Sequence, residues 1–343
     1  MSLRPAPYLR ALGLGLGTAA LLSTVGCQQL ADPNAPMSTV FPSGSYAGMI
    51  VQLYVLIFLM AAAVFVGVEG FLVYSIIKFR RRSETDLPAQ VHGNTRLEIT
   101  WTLLPAVVLL IIAVPTISTI FASDTVPPTA NQRITVIGHQ WWWEIRYPDL
   151  NIVTANELHL PAGQTAVFDL QTADVIHAFW IPRMGGKVDA IPNRENRLWF
   201  TPEETGEFYG QCTEFCGFQH ANMKHRLFVD TKEDFERWVR QQAAPAAEPM
   251  SASARRGAQA FQNGSCVACH TINGTNARGL LGPDLTHVGS RKTIAAGVLD
   301  NTAENMARWI KDTQSIKPGN KMVISPPSDA EIADIVAYLQ GLK

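Results

Sequence analysis

Gly210-Gln-Cys212-Thr-Glu214-Phe-Cys216-Gly-Phe-Gln-His220-Ala-Asn-Met223 is the stretch on which the reading of this chain turns. Two thiols, an imidazole and a thioether fall within twelve residues, and His177 offers a second imidazole upstream. Soft sulfur with imidazole suits copper, and a single-copper electron-transfer site takes two His, one Cys and a weak Met. Here there is one cysteine more. Two thiolates can bridge two copper ions, each ion then taking one His and one weak axial ligand. Such a pair shares an electron over two metals and two sulfurs, so its geometry changes little on redox. Other readings of the same residues are structural zinc on two Cys and two His, a Cys212–Cys216 disulfide, and Met223 as plain core.

Outward from this stretch, short β-rich runs occupy 134–137, 165–170, 198–200 and 226–229, separated by Gly and Pro signals. That rhythm predicts a small antiparallel β-sandwich or barrel over 124–240. Asp234 to Gln242 reads as a helix, and the Ala/Pro composition of 241–250 reads as a linker. Residues 251–343 then change to helical patterns at 252–262, 303–312 and 329–339, with Ser328 or Asp329 as N-cap of the last. In this third region Cys266-Val-Ala-Cys269-His270 is the attachment signature of a c-type haem: two thioethers and one iron ligand. Met322, in the loop Lys317-Pro-Gly-Asn-Lys-Met322, is the candidate for the second axial ligand, and a Met/His pair raises the potential. Met306, on a helix, is its rival but reads as core. His287 reads as lying near the haem edge or the surface.

The N-terminal third places all this outside a membrane. The chain has 343 residues, 47% hydrophobic and only 17% charged, and the apolar surplus is concentrated in three runs. Residues 1–27 read as a signal peptide: a short basic region, an apolar stretch too short to span, and a small-residue exit. Thr24-Val-Gly-Cys27 resembles a lipobox, with Thr24 where Leu is usual, which makes Cys27 a candidate lipidation site. Ile50–Ile77 and Trp101–Phe121 are long enough to cross, giving spans at 46–79 and 100–122. The loop 80–99 between them opens on a basic cluster and is read as cytoplasmic by the positive-inside rule. Everything after Ser123 is then extracytoplasmic. A net charge of −1, from 28 basic and 29 acidic residues, argues against nucleic acid as a partner.

At these residues the chain resembles bacterial cytochrome c oxidase subunit II of the type with a fused C-terminal cytochrome c. The resemblance rests on the copper-type motif, on Asp174-Val-Ile-His177, on Gly138-His-Gln-Trp141-Trp-Trp143 and on Leu97-Glu98-Ile-Thr-Trp101-Thr-Leu-Leu-Pro105. It implies a multidomain membrane protein: a two-helix transmembrane hairpin, an all-β cupredoxin-like barrel holding a dinuclear CuA centre, and an all-α class I cytochrome c domain. The family's CuA ligands fall on His177, Cys212, Glu214 through its carbonyl, Cys216, His220 and Met223. The side chain of Glu214 would reach a magnesium ion shared with subunit I. Trp141 matches the aromatic residue through which electrons enter CuA, and Glu98 a carboxylate at the mouth of a proton path. Trp142 stands where the family has Tyr or Phe, and Val323 where a Pro is common.

The resemblance implies an electron-input subunit in the bacterial plasma membrane, its CuA and cytochrome domains on the extracytoplasmic side. Electrons would come from a cytochrome c or another donor, pass from haem to CuA, and go on to subunit I. There oxygen would be reduced to water with proton pumping, among further oxidase subunits. Two alternatives stand beside it: the CuA subunit of a nitric oxide reductase, and a tethered cytochrome with a zinc-stabilised docking domain. A quinol oxidase subunit II lacks the copper ligands present here. Residues 124–240 carry 11 basic against 16 acidic side chains and residues 251–343 carry 10 against 7, so opposite charge favours docking of one domain on the other.

Overall fold

The computed structural model describes residues 32–81, 83 and 90–343. The signal reading of residues 1–27, Cys27 with it, and part of the loop 80–99 lie outside the described residues.

Two long helices come first: α1 (Ser45–Lys78) and α2 (Thr95–Asp124). At 1.5 Å per residue they run to about 51 and 45 Å, well beyond the ~30 Å of a bilayer's hydrocarbon. They are the two helices long and apolar enough to cross a membrane among the described residues. Their large apolar side chains point outward, Phe65, Phe71, Leu109 and Leu110 among them. Water is a poor solvent for such a surface, which needs lipid or a protein partner. The helix α2 starts before the apolar run because the Asn94 side chain caps it, accepting from the Arg96 and Leu97 N–H groups. One end of each helix is tied to the next domain. Tyr46 sets its ring edge-on to Trp199 at 5.7 Å, Trp199 Nε1 donates to Ser123 O (2.9 Å), and Ser45 N–H donates to Thr201 O (3.0 Å).

That domain has ten strands: β1 (Gln132–His139), β2 (Trp142–Tyr147), β3 (Ile152–Ala155), β4 (Glu157–Pro161), β5 (Ala166–Thr172), β6 (His177–Trp180), β7 (Val188–Ala190), β8 (Asn196–Phe200), β9 (Gly206–Cys212) and β10 (Lys224–Asp230). They form two five-stranded sheets, ordered β3-β2-β1-β5-β8 and β4-β10-β9-β6-β7. The sheets are mixed rather than antiparallel as expected. The β1–β5 and β4–β10 pairs run parallel, because in each case the chain leaves the sheet through other strands before returning beside its earlier partner. Phe168, Phe179, Phe200 and Trp143 fill the space between the sheets. Period-two alternation along β9 turns Phe208, Gly210 and Cys212 inward, which delivers a thiol to the end of the barrel. The helix α3 (Lys232–Gln242), capped by Thr231, lies outside, with Trp238 stacked on His159 at 4.5 Å.

The last region is built on α4 (Ala252–Asn263), α5 (Ala303–Lys311), the short α6 (Thr313–Ile316) and α7 (Asp329–Gly341). A hairpin of two-residue strands, β11 (Thr293–Ile294) and β12 (Leu299–Asp300), interrupts the helices. Ser328 and Glu331 close a reciprocal capping box on α7. Where α4 crosses α7 the backbones nearly touch: a Cβ on Gly257 would stand 1.9 Å from Asp334 O. Only glycine fits there. The Ala/Pro connector does not swing free, since Ala246 packs on this core and Ala244 O receives His287 Nε2 at 3.0 Å. His287 is therefore an inner residue rather than a surface one.

Candidate metal and haem centres

Three segments converge at one end of the barrel: the start of β6 with His177, the end of β9 with Cys212, and the loop to β10. The two sulfurs of Cys212 and Cys216 lie 3.7 Å apart, too far for a disulfide at ~2.05 Å. His177 Nδ1 stands 3.9 Å from Cys212 Sγ and His220 Nδ1 3.6 Å from Cys216 Sγ. Met223 Sδ is 3.9 Å from Cys216 Sγ, and Glu214 O is 3.3 Å from Cys212 Sγ. Atoms so spaced can each sit at a metal–ligand distance of about 2.0–2.3 Å from a shared ion. Each sulfur has its own imidazole and its own weak oxygen or thioether donor, a pattern with room for two ions across the sulfur pair. The group of His177, Cys212 and Cys216 is the one His/Cys/Asp/Glu cluster of metal-binding geometry among the described residues.

The surroundings hold these donors in place. A Cβ on Gly138 would lie 2.7 Å from the His177 ring, so glycine lets the imidazole pack flat on β1. His177 Nε2 and Asp174 Oδ1 are 2.9 Å apart, which turns Nδ1 toward the sulfurs. Gln140 N–H donates to Asp174 at 2.8 Å. Burial opposes ionisation of Asp174, but bonds from His177 and from the Gln140 and Val175 N–H groups hold its carboxyl below the ordinary range. Burial also works against a charged His177, and its contacts with Asp174 and Cys212 outweigh this and raise its pKa. The Cys216 thiol, with help from His177, lowers the pKa of Cys212. A thiolate is thus favoured between the two imidazoles, the form that binds a soft metal.

Trp141 is 7% exposed, and its Nε1 donates to Cys216 O at 2.9 Å. Gln140 Nε2 donates to the same carbonyl at 2.8 Å. The indole is fastened to the ligand loop. Glu214 offers its carbonyl to the site while its carboxylate stands exposed, outside any metal-type cluster. Glu98 sits in the first turn of α2, at the end of that helix away from the barrel, and the structure does not bring it to the site.

In the helical domain, Cys266 lies within a 3-10 turn (Ser265–Ala268) and Cys269 caps its end, both with free, half-buried thiols. His270 is buried, and its Nδ1 lies 2.9 Å from Pro283 O, which leaves Nε2 as the nitrogen open to a metal. Met322 lies in a loop whose backbone is fixed at both ends: its N–H donates to Asn320 Oδ1 (2.8 Å) and its carbonyl accepts from Thr313 Oγ1 (2.7 Å). Beside these residues Leu280, Leu281 and Val323 are 77–80% exposed. Large apolar side chains left uncovered around a CxxCH turn fit a haem that would cover them. Met306 is 3% exposed in the domain core.

Sequence reasoning assigned no role to Asp174, Lys317 or Glu157. Asp174 could have been found, three residues before His177 and so able to reach its ring. Lys317 and Glu157 carried no such signal, since their partners lie 176 and 136 residues away.

Comparison with known proteins gives three family matches in chain order. Residues 36–119 match the transmembrane domain of cytochrome c oxidase subunit II. Residues 151–228 match its periplasmic domain, and residues 254–343 match cytochrome c. The curated cytochrome c oxidase subunit 2 of Alkalihalophilus pseudofirmus is 36% identical, covering 94% of this chain and 94% of that protein. The Bacillus subtilis protein of the same name is also 36% identical, over 90% and 92%. Among solved structures, the periplasmic domain of subunit II of cytochrome oxidase from Bradyrhizobium japonicum is 37% identical, covering 34% of this chain and 95% of that one, with a TM-score of 0.33.

Proposed function

This chain belongs to the cytochrome c oxidase subunit II family, and we propose that it is the electron-input arm of a membrane oxidase. Membership implies copper in the β-domain and haem c in the helical one. Bound there, the two groups would supply one-electron carriers, and electrons would pass through this arm to subunit I, where oxygen would be reduced with coupled proton pumping. On this reading Cys266 and Cys269 bind the haem covalently, with His270 and Met322 on its iron. His177, Cys212, Cys216, His220, Met223 and the Glu214 carbonyl hold CuA.

The observation that carries the reading is the paired arrangement at the barrel end: two sulfurs 3.7 Å apart, each flanked by its own imidazole. A single-copper site needs one thiol, and structural zinc has no use for Met223. The chain's own residues do the preparatory work. Asp174 orients His177, Gly138 makes room for its ring, and Trp141, tied to Cys216 O, is the residue at which electrons reach the site. Glu214, through its exposed carboxylate, is assigned a magnesium shared with subunit I, and Glu98 the mouth of a proton path in that subunit. The chain would cross the plasma membrane twice, with both cofactor domains on the extracytoplasmic side.

Electron paramagnetic resonance on the full chain in detergent, loaded with copper, tests this. The expected signal shows one unpaired electron spread equally over two copper nuclei. A single-copper signal, or one bound zinc in place of copper, would sink the proposal.

A further inference from the structure

Glu69 belongs to neither cofactor site, and it stands where a carboxyl is hardest to accommodate. It lies in α1, nine residues before Lys78, which opens the basic cluster that ends the span. At 1.5 Å per residue that sets it about 13 Å inside, close to the middle of a ~30 Å hydrocarbon layer. Helical side chains lean toward the helix N-terminus, and the N-terminus of α1 is the end tied to the barrel. Glu69 therefore leans deeper into the layer and away from the nearer surface, the wrong direction for reaching headgroups. Among the described residues nothing bonds to its carboxyl.

The second helix does not cover it either. Where α1 and α2 touch, Leu53, Ile57 and Met60 of α1 and Ile112, Pro115 and Thr119 of α2 are half-buried. All six lie in the half of the hairpin nearer the barrel. From Ala63 to Tyr74 every residue of α1 is exposed. At roughly 100° per residue, Glu69 projects from the side of α1 opposite to Leu53, Ile57 and Met60. Phe65, Val66, Val73 and Ile76 share its side and are 52–68% exposed. Lipid tails can cover those four, but a carboxyl at this depth calls for a polar partner.

We propose that the Glu69 side of α1 is a docking face for a transmembrane helix of subunit I, one that presents a hydrogen-bond donor to the Glu69 carboxyl near mid-membrane. A second copy of this chain would set acid against acid, so complementarity calls for a different chain. Subunit I is the neighbour that the electron path requires, and its identity as the partner rests on the oxidase reading above. Phe65 and Val73, one turn to either side of Glu69, supply the apolar packing around the pair. A polar pair at one depth also sets the register of the two chains, because a slip of one turn leaves both groups against hydrocarbon.

The test uses the whole oxidase, drawn from its membrane in mild detergent through a tag on this chain. The Glu69→Gln chain should retain subunit I as the unaltered chain does, since the amide oxygen still accepts. With Glu69→Leu the partner's donor is left unpaired, and retention through detergent washes should fall about 10-fold, with the copper and haem signals of this chain unchanged. Equal retention by the Leu variant, or an equal loss with Gln, would overturn the proposal. A photo-crosslinking residue placed at Val66 or Val73 in the intact membrane should form an adduct with subunit I. Adducts with lipid alone, or with a second copy of this chain, would overturn it as well. Absence of the two-copper signal from the unaltered chain would instead defeat the proposed function, while the adducts still report what covers Glu69.

Discussion

The two cofactor sites of this chain are built on opposite plans. In the barrel the donor residues are at most 3% exposed at His177, Cys212, Cys216 and Met223, and a continuous core of Phe168, Phe179 and Phe200 lies behind them. The polypeptide completes that domain by itself, and the metal would enter a socket already shaped. In the helical domain Cys266 and Cys269 are half-exposed and Leu280, Leu281 and Val323 face outward. The domain has its own small core around Phe261, Ile335 and Leu339, and a haem covering those outward side chains would add apolar contact to it. A small ion asks a fold for position, whereas a large flat cofactor is part of the core.

The sharpest way to break this contrast is to remove each cofactor in turn. Cys266→Ala with Cys269→Ala should abolish the cooperative thermal transition of the helical domain. Stripping copper with a chelator should leave the barrel's transition in place at a lower Tm. Near-UV circular dichroism through a thermal scan reads both. A helical domain that melts as sharply without its cysteines as with them would end the contrast.

The next effects come from two glycines. Gly257→Val drives a branched side chain into the Asp334 carbonyl of the facing helix, where neither backbone can retreat, and should cost about 3 kcal/mol. Gly138→Val meets the His177 ring instead. A ring can rotate, so folding should suffer by only about 1 kcal/mol while copper binding fails. Thermal unfolding and copper titration on the same two proteins separate the outcomes, and equal stability losses would mean that the ring is as immovable as the helix.

The difference between the sites also explains what the sequence could disclose. Four of the copper-type donors share one loop and the haem signature is five consecutive residues, so both were legible as local patterns. The two spans and the three longer helices of the last domain were legible too, from apolar length and period. The mixed sheets were not, because the Trp142–Tyr147 strand reads as an aromatic motif and β9 carries Gly206 and Gly210, which weaken a strand pattern. Nor were the contacts of Lys317 and Glu157, since a lysine before a Pro-Gly turn looks like any solvated charge until the distant partner is in view.

Smaller effects should follow from residues that position ligands or complete them. Asp174→Ala removes the acceptor at His177 Nε2 and should weaken copper binding by about 10- to 100-fold, with the haem spectrum intact. Unchanged affinity would mean that packing on Gly138 orients the ring unaided. The counterpart in the other domain is Met322→Ala. The haem potential should fall, by on the order of 0.1 V within the ~0.8 V range that axial ligands command, and the copper signal should not move. A haem spectrum and potential left unchanged would show that Met322 is not the ligand.

The smallest effect concerns His225, two residues beyond Met223 and of a type that a ligand hunt would collect. The structure puts it elsewhere. It is fully buried, stacked on Phe179 at 4.3 Å, and neither ring nitrogen has a hydrogen-bond partner. Burial lowers its pKa to about 3, so it packs as a neutral ring. An unpartnered polar group in a core is a cost that an apolar residue of similar bulk avoids. His225→Leu should therefore keep both copper nuclei in the resonance signal and leave the barrel as stable as before, or more stable by about 1 kcal/mol. The measurement is the barrel's unfolding in guanidinium beside the copper signal. A loss of several kcal/mol would reveal a polar partner for His225, and a lost signal would extend the copper site one layer deeper into the barrel than its sulfur and imidazole donors reach.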